Sequence, residues 1–229
     1  MSTTRIPPAS ITGPYGALVT RMTRRMFGDT PEPLGVLWHN RRVLHTGLAQ
    51  GRRTQKWDAC DSGLKSYAHL AVMSLVGCSW CLDFGYFEAH HKGLDVNKAR
   101  EVPGWRESEA FTPLERDVME YAEAMSFTPP TVTDELSARL LAELGAPALV
   151  ELTSYVAMAN QAARTNIALG IESQGFSASC GLRPMAQRPT PEHPAGESPA
   201  ARAPAAGAPA GGAPAAERTA RRGERPTSS

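Results

Sequence analysis

The chain has 229 residues, 24 basic and 23 acidic side chains for a net charge of +1, and a hydrophobic fraction of 41%. A near-neutral balance removes the electrostatic ground for a nucleic-acid or membrane-surface partner, and the length suits one core domain with extra segments. The opening Met1–Pro8 lacks the apolar run of a signal peptide, and no later stretch reads as about 20 consecutive apolar residues, so the expected location is the cytoplasm. Four cysteines (Cys60, Cys78, Cys81 and Cys180) are too few for a disulfide scaffold; in a reducing compartment a close pair is more often catalytic or metal-binding.

In chain order, an N-terminal arm (residues 1–13) leads to Thr12-Gly13-Pro14, where Thr12 can cap and Pro14 can enter the first turn of a helix to about Phe27. Leu18, Met22 and Met26 repeat along it every four residues. Thr30–Pro33 breaks the chain, and Leu34 to His45 is predicted as a second helix, with Leu34, Leu37, Trp38 and Leu44 inward. His39 and His45 within it read as surface or satisfied side chains. Gly47 to Lys56 is basic and poorly patterned and is expected as a loop or short helix. Asp61-Ser62-Gly63 then starts a helix to about Val76 with a broad apolar stripe of Leu64, Ala68, Ala71, Val72 and Leu75.

After the segment that follows, Asp95 to Arg100 reads as a short helix and Val102–Trp105 as a turn. Thr112 and Glu115, with Pro113 between them, form a capping-box pattern ahead of Leu114, Val118, Tyr121, Ala122 and Met125. Pro129-Pro130 stops that helix. Thr133 caps Asp134 to Leu144, Gly145 ends it, and Pro147 to about Leu169 is a further helix whose wide apolar surface suits a bundle centre or a subunit contact. No stretch alternates with period two, so the expected class is all-α. From residue 182 to 229 the chain is dominated by Pro, Ala, Gly and Arg and offers little to bury, so it is expected as a disordered tail after a helical domain spanning 14–181.

The chemistry concentrates in Val76–Gly93. If Gly77 ends one helix and another begins near Cys78, then Cys78 and Cys81 share its first turn, close enough to be bridged. The unpaired N–H groups and positive dipole end of a helix start favour a thiolate there. A lone C-x-x-C also fits a zinc half-site or coincidence. For zinc the nearby offers are His90 and His91, but adjacent helical residues diverge by about 100°, which disfavours both facing one metal. A c-type haem would need His directly after the second cysteine, where Leu82 stands.

Leu64 to Gly93, with Val76-Gly77-Cys78-Ser79-Trp80-Cys81 and Glu88-Ala89-His90-His91-Lys92-Gly93-Leu94, resembles the carboxymuconolactone decarboxylase superfamily, in particular its alkylhydroperoxidase D-like branch. The resemblance extends more loosely to about Gly175. It implies an all-helical subunit assembling into trimers or multiples, and a CxxC pair that reduces peroxides or disulfides with no flavin, metal or other cofactor. A dithiol would donate the electrons. It further implies that Cys81 is the attacking thiolate and Cys78 the resolving thiol.

The chain departs from that family where protons are handled. A Glu expected twelve residues before the first cysteine is Ser66, a His expected one helical turn after the second is Gly85, and a His often found between them is Trp80. Peroxide turnover is therefore expected to be slow, and Gly85→His to raise it. Glu88 shares a face with Cys81 but lies about 10.5 Å along the axis at ~1.5 Å per residue, too far to bond the sulfur directly. Asp83 is on another face of that helix, and its charge would raise rather than lower a thiol pKa if it acted. Glu88, His91 and His69 remain candidate relay residues, and His39 could approach from elsewhere in the fold. A thiol-independent decarboxylase-like enzyme and a catalytically silent helical oligomer are the alternatives. Cys60 and Cys180 read as buried small residues, with a resolving or intersubunit role for Cys180 as the minor option.

Overall fold

A computed structural model describes residues 4–179; Cys180 and the predicted tail lie outside the described residues. Among these residues there are only helices: α1 (Gly13–Phe27), α2 (Glu32–Leu37), α3 (Arg41–Thr54), α4 (Ser62–Val76), α5 (Ser79–His91), α6 (Val96–Arg100), a 3-10 turn (Val102–Gly104), α7 (Pro113–Ser126), α8 (Asp134–Leu169) and α9 (Phe176–Ser179). The fold is all-α, as the absence of period-two patterning implies.

Helix α4 is the centre, with α5, α7 and α8 packed around it. Ala68, Ala71, Val72 and Met73 on it are fully enclosed, and Met119 and Val118 of α7 and Leu140, Leu152 and Val156 of α8 close the core. Each such large apolar side chain contributes about 1.5–3 kcal/mol by leaving water. Asp61 starts α4 by accepting from the Gly63 and Leu64 N–H groups. Lys65, in its first turn, pairs with Glu151 of α8, whose carboxylate also accepts from the Ala59 and Cys60 N–H groups. Burial works against the Glu151 charge, but the bonds from Lys65 and the two amides outweigh it and hold its carboxyl below the usual range. Cys60, beside them, is an unpaired buried thiol, pushed up chiefly by burial.

The capping box at Thr112 and Glu115 forms with both reciprocal bonds. Gly145 has φ 76°, so α8 is two helical runs joined at a kink, with Pro147 opening the second. By length and composition α8 is apolar enough to cross a membrane, unlike the sequence expectation. It packs Leu136, Leu140, Ala148, Leu152, Val156, Ala159 and Ala163 into the core.

The N-terminal region differs from expectation in two places. The predicted helix from Leu34 to His45 is broken: α2 stops at Leu37, and Asn40 caps a new helix by accepting from the Val43 N–H. That new helix, α3, runs on through the predicted loop to Thr54, because the basic stretch after Gly47 has good helix formers on an open face. The α1 stripe faces outward: Leu18, Met22 and Met26 are 64%, 45% and 57% exposed, while Gly16 and Thr23 are buried. Gly16 is needed there because a Cβ would meet the Ile11 backbone at 3.0 Å. The arm itself is sewn down. Arg5 donates its N–H to Leu169 O and its guanidinium to Ile167 O and Ala168 O, adding donors to carbonyls at the end of α8, where Ile167 O also accepts the Gly170 N–H.

Candidate functional site

Gly77 takes the left-handed conformation (φ 81°) that ends α4, and Cys78 follows as the N-cap of α5. The cap places Cys78 and Cys81 on one turn with Cα atoms 5.3 Å apart, and their sulfurs are joined. Both residues are buried, at 1% and 4% exposure. Each sulfur has a donor. The Cys81 N–H points to Cys78 Sγ at 3.3 Å, and the side-chain amide of Asn166, from the last turn of α8, points to Cys81 Sγ at 3.3 Å. Asn166 was not singled out from sequence: it lies 85 residues beyond Cys81, and only the packing of α8 beside α5 joins them.

Of the relay candidates, the fold brings His69 and Glu88 together and sets His91 apart. His69 of α4 lies against the backbone of Gly85 and bonds the backbone of Cys81. With Ser66, Gly85, Glu88, Ala89, Lys92 and Tyr155 it lines a half-open pocket with room for roughly one water. Its ring is 6.2 Å from that of Tyr155. Burial, followed by the Lys92 charge, pushes His69 down to about 4 against the opposing bond to Cys81, so the imidazole is neutral at neutral pH. Burial and the Glu88 charge push Tyr155 up to about 12. Ser66 gives its hydroxyl to Ser62 O in the preceding turn. His91 bonds Phe87 O through Nδ1 at 2.8 Å and packs on the Phe87 ring at 4.2 Å. His39 bonds Pro7 O, and His45 meets the Tyr15 hydroxyl, so both are held within the N-terminal region.

On the other side of α5 a strap of residues 171–177 crosses the residues between the cysteines. Ser173 N–H donates to Ser79 Oγ at 3.2 Å, and Trp80 Nε1–H donates to Gln174 Oε1 at 3.1 Å. Asp83 anchors the strap, accepting from Ser173 Oγ, the Phe176 N–H and both the N–H and hydroxyl of Ser177. Burial alone would raise the Asp83 carboxyl; the bonds from Ser177, Ser173 and Phe176 outweigh it and bring the pKa below the ordinary 3.8. Phe176 seats edge-on against Trp80 and Phe84, which stack at 4.8 Å. Trp80, which stands where the family resemblance often has a histidine, is thus part of an aromatic wall.

An all-helical domain whose central hairpin carries a bridged CxxC pair at the start of its second helix defines the class. The sequence pattern of the carboxymuconolactone decarboxylase family matches residues 46–124. The uncharacterised protein YnjA of Escherichia coli (strain K12) is 34% identical over 155 residues, covering 66% of this chain and 84% of that protein. This chain belongs to the carboxymuconolactone decarboxylase superfamily, with the alkylhydroperoxidase D-like fold. Among solved structures, the debrominase Bmp8 in complex with 2,3,4-tribromopyrrole superposes with a TM-score of 0.66 at 16% identity, over 78% of this chain and 98% of that one. A protein of unknown function from Agrobacterium tumefaciens, described in connection with the antioxidant defence protein AhpD, superposes at 0.55 with 18% identity, over 60% and 94%.

Proposed function

We propose that the protein is a thiol-dependent oxidoreductase, a weak hydroperoxidase or disulfide reductase, working through Cys78 and Cys81. One observation carries this: the two sulfurs are joined at a helix start, and each accepts a hydrogen bond that a thiolate would strengthen. In the peroxidase direction, the Cys81 thiolate attacks a peroxide oxygen. The O–O bond breaks, a proton converts the leaving oxygen to an alcohol or water, and Cys81 becomes a sulfenic acid. Cys78 then attacks Cys81 Sγ, the S–S bond forms and water leaves. A dithiol donor returns two electrons and two protons and departs as a disulfide. The need for such a donor suits a reducing, cytoplasmic setting.

His69 is the proton carrier in this scheme. A side chain at Gly85, four residues after Cys81, would share the face of Cys81, with Cβ atoms about 5–6 Å apart. The imidazole stands in that space and is neutral at neutral pH; its lowered basicity means it would take the Cys81 proton only transiently, and the imidazolium so formed is a strong acid that gives the proton up readily to the leaving oxygen. Glu88, Lys92 and Tyr155 shape its pocket.

The experiment compares wild type with Cys78→Ser and Cys81→Ser for reduction of a hydroperoxide and of a small disulfide, with a dithiol as donor. Both variants are expected to lose turnover. Full activity of Cys81→Ser toward any substrate would overturn the thiol reading in favour of a thiol-independent, decarboxylase-like reaction.

A further inference from the structure

The bridge is not symmetric in its surroundings. Cys78 Sγ accepts from a backbone N–H of its own helix, whereas Cys81 Sγ accepts from a side chain delivered by another helix, the amide of Asn166. Asn166 is buried, at 6% exposure, so its amide has little water to turn to. Its backbone is fixed as well. The Asn166 carbonyl accepts the Gly170 and Ile171 N–H groups as α8 closes at the left-handed Gly170 (φ 71°). A closed helix end therefore aims one N–H at one sulfur.

Resting on the thiol reading above, we propose that Asn166 is a catalytic residue that stabilises the Cys81 thiolate and thereby makes Cys81, not Cys78, the attacking sulfur. A hydrogen bond to an ionised acceptor is roughly twice as strong as one to a neutral acceptor, so the same N–H that touches the bridge favours the thiolate more than the thiol. The chemistry gains in both directions. When Cys81 gives its electron pair to a peroxide oxygen it starts from the favoured anion. When a donor thiolate attacks Cys78 Sγ, the Cys78–Cys81 bond breaks and Cys81 leaves as that same anion, with the electron pair of the bond on its sulfur.

The test isolates Cys81 in a Cys60→Ser/Cys78→Ser/Cys180→Ser background, which leaves it as the one thiol of the four-cysteine chain, and follows its alkylation by iodoacetamide across pH. Asn166→Ala removes the donor, Asn166→Asp replaces it with a carboxylate of the same shape, and Asn166→Ser retains a smaller hydroxyl donor. The expected order of alkylation at pH 7 is wild type, then Ser, then Ala, then Asp. Asn166→Ala should be about tenfold slower than the parent, with its pH profile displaced upward by about one unit. A purely structural role would change melting temperature without this graded order; should Asn166→Ala fail to fold, the Asp and Ser variants carry the comparison. Unmoved pH profiles in the folded variants, with Cys81→Ser still inactive in otherwise wild-type protein, would overturn the role of Asn166 and leave the thiol reading standing. Retained activity in Cys81→Ser would instead remove the reading on which the role rests.

Discussion

His69 of α4 lies where a side chain at Gly85 of α5 would go: a Cβ built at Gly85 stands 3.0 Å from His69 Cδ2 and 3.1 Å from Nε2. The glycine and the histidine are one arrangement. From sequence alone, adding a histidine at position 85 is expected to speed peroxide reduction; with the space already filled, the single variant Gly85→His should instead overpack the α4–α5 contact. Overpacking of this kind costs about 1–3 kcal/mol. The expected result is a lower melting temperature and no gain in turnover. His69→Ala should slow peroxide reduction by about 10²-fold or more. The double variant His69→Ala/Gly85→His should recover part of the loss by supplying the imidazole from α5. Steady-state rates of the four proteins check this, and a double variant no faster than His69→Ala would remove the proton role of His69.

The same burial makes stability pH-dependent. His69 titrates near 4 in the folded protein and near its ordinary 6.5 when unfolded, so between those values the unfolded chain binds more protons. The stabilisation is present in full above about pH 6.5 and is lost as pH falls toward 4. Glu88 of α5, Lys92 just past its end and Tyr155 of α8 face the ring, and Lys92 acts in the same direction as burial. Urea midpoints at pH 7.5 and 5 should separate for wild type and draw together for His69→Gln. Asp83 contributes in the same sense at more acid pH, since its lowered carboxyl keeps its bonds until pH falls through its folded pKa.

Asp83 supplies a third expectation. Its carboxylate accepts four hydrogen bonds from the strap, which in turn holds Ser79 and Trp80 between the cysteines. Asp83→Ala should cost roughly 2–3 kcal/mol, the scale of hydrogen bonds to a charged group. It should also speed reduction of the Cys78–Cys81 bridge by an added dithiol several-fold, because the strap no longer covers the turn. Denaturant unfolding and the rate of bridge reduction report the two effects separately.

How far the sequence was legible follows from the range of the interactions. Gly77, the Thr112 capping box and the Gly145 break are local instructions, and the structure follows each of them. The CxxC turn was legible for the same reason: three residues decide it. The break at Trp38–Asn40 was missed because Asn40 inside an apolar-periodic run looks like a polar helix position, and only the Val43 bond marks it as a cap. Asn166 and the His69–Gly85 contact join residues 85 and 16 positions apart through helix packing, and neither leaves a periodic trace. The anchoring role of Asp83 leaves no sequence trace for a related reason. Its place on another face of α5 from the thiols was legible, but its partners Ser173, Phe176 and Ser177 lie some 90 residues on.

The last expectation concerns assembly, which the family resemblance and the breadth of apolar surface on α8 both favour. Two outward apolar features stand out: the α1 stripe of Leu18, Met22 and Met26, and Val150 on α8, itself 66% exposed. Four-residue spacing puts the three α1 side chains on one face, so together they form a continuous ridge of the kind that helix pairs bury. Arg21, Arg24 and Arg25 share α1 with that ridge, which keeps the helix soluble at its edges while leaving the ridge itself free to pair. A homo-oligomer is therefore expected, with α1 contributing to its contact. Light scattering at micromolar concentration should give a multiple of the chain mass for wild type. Leu18→Glu/Met22→Glu should lower that mass while leaving the helical circular dichroism unchanged, since neither side chain belongs to the core. A monomer mass for wild type would overturn the assembly; an unaltered oligomer in the double variant would move the contact away from α1 and toward Val150, where Val150→Glu tests it.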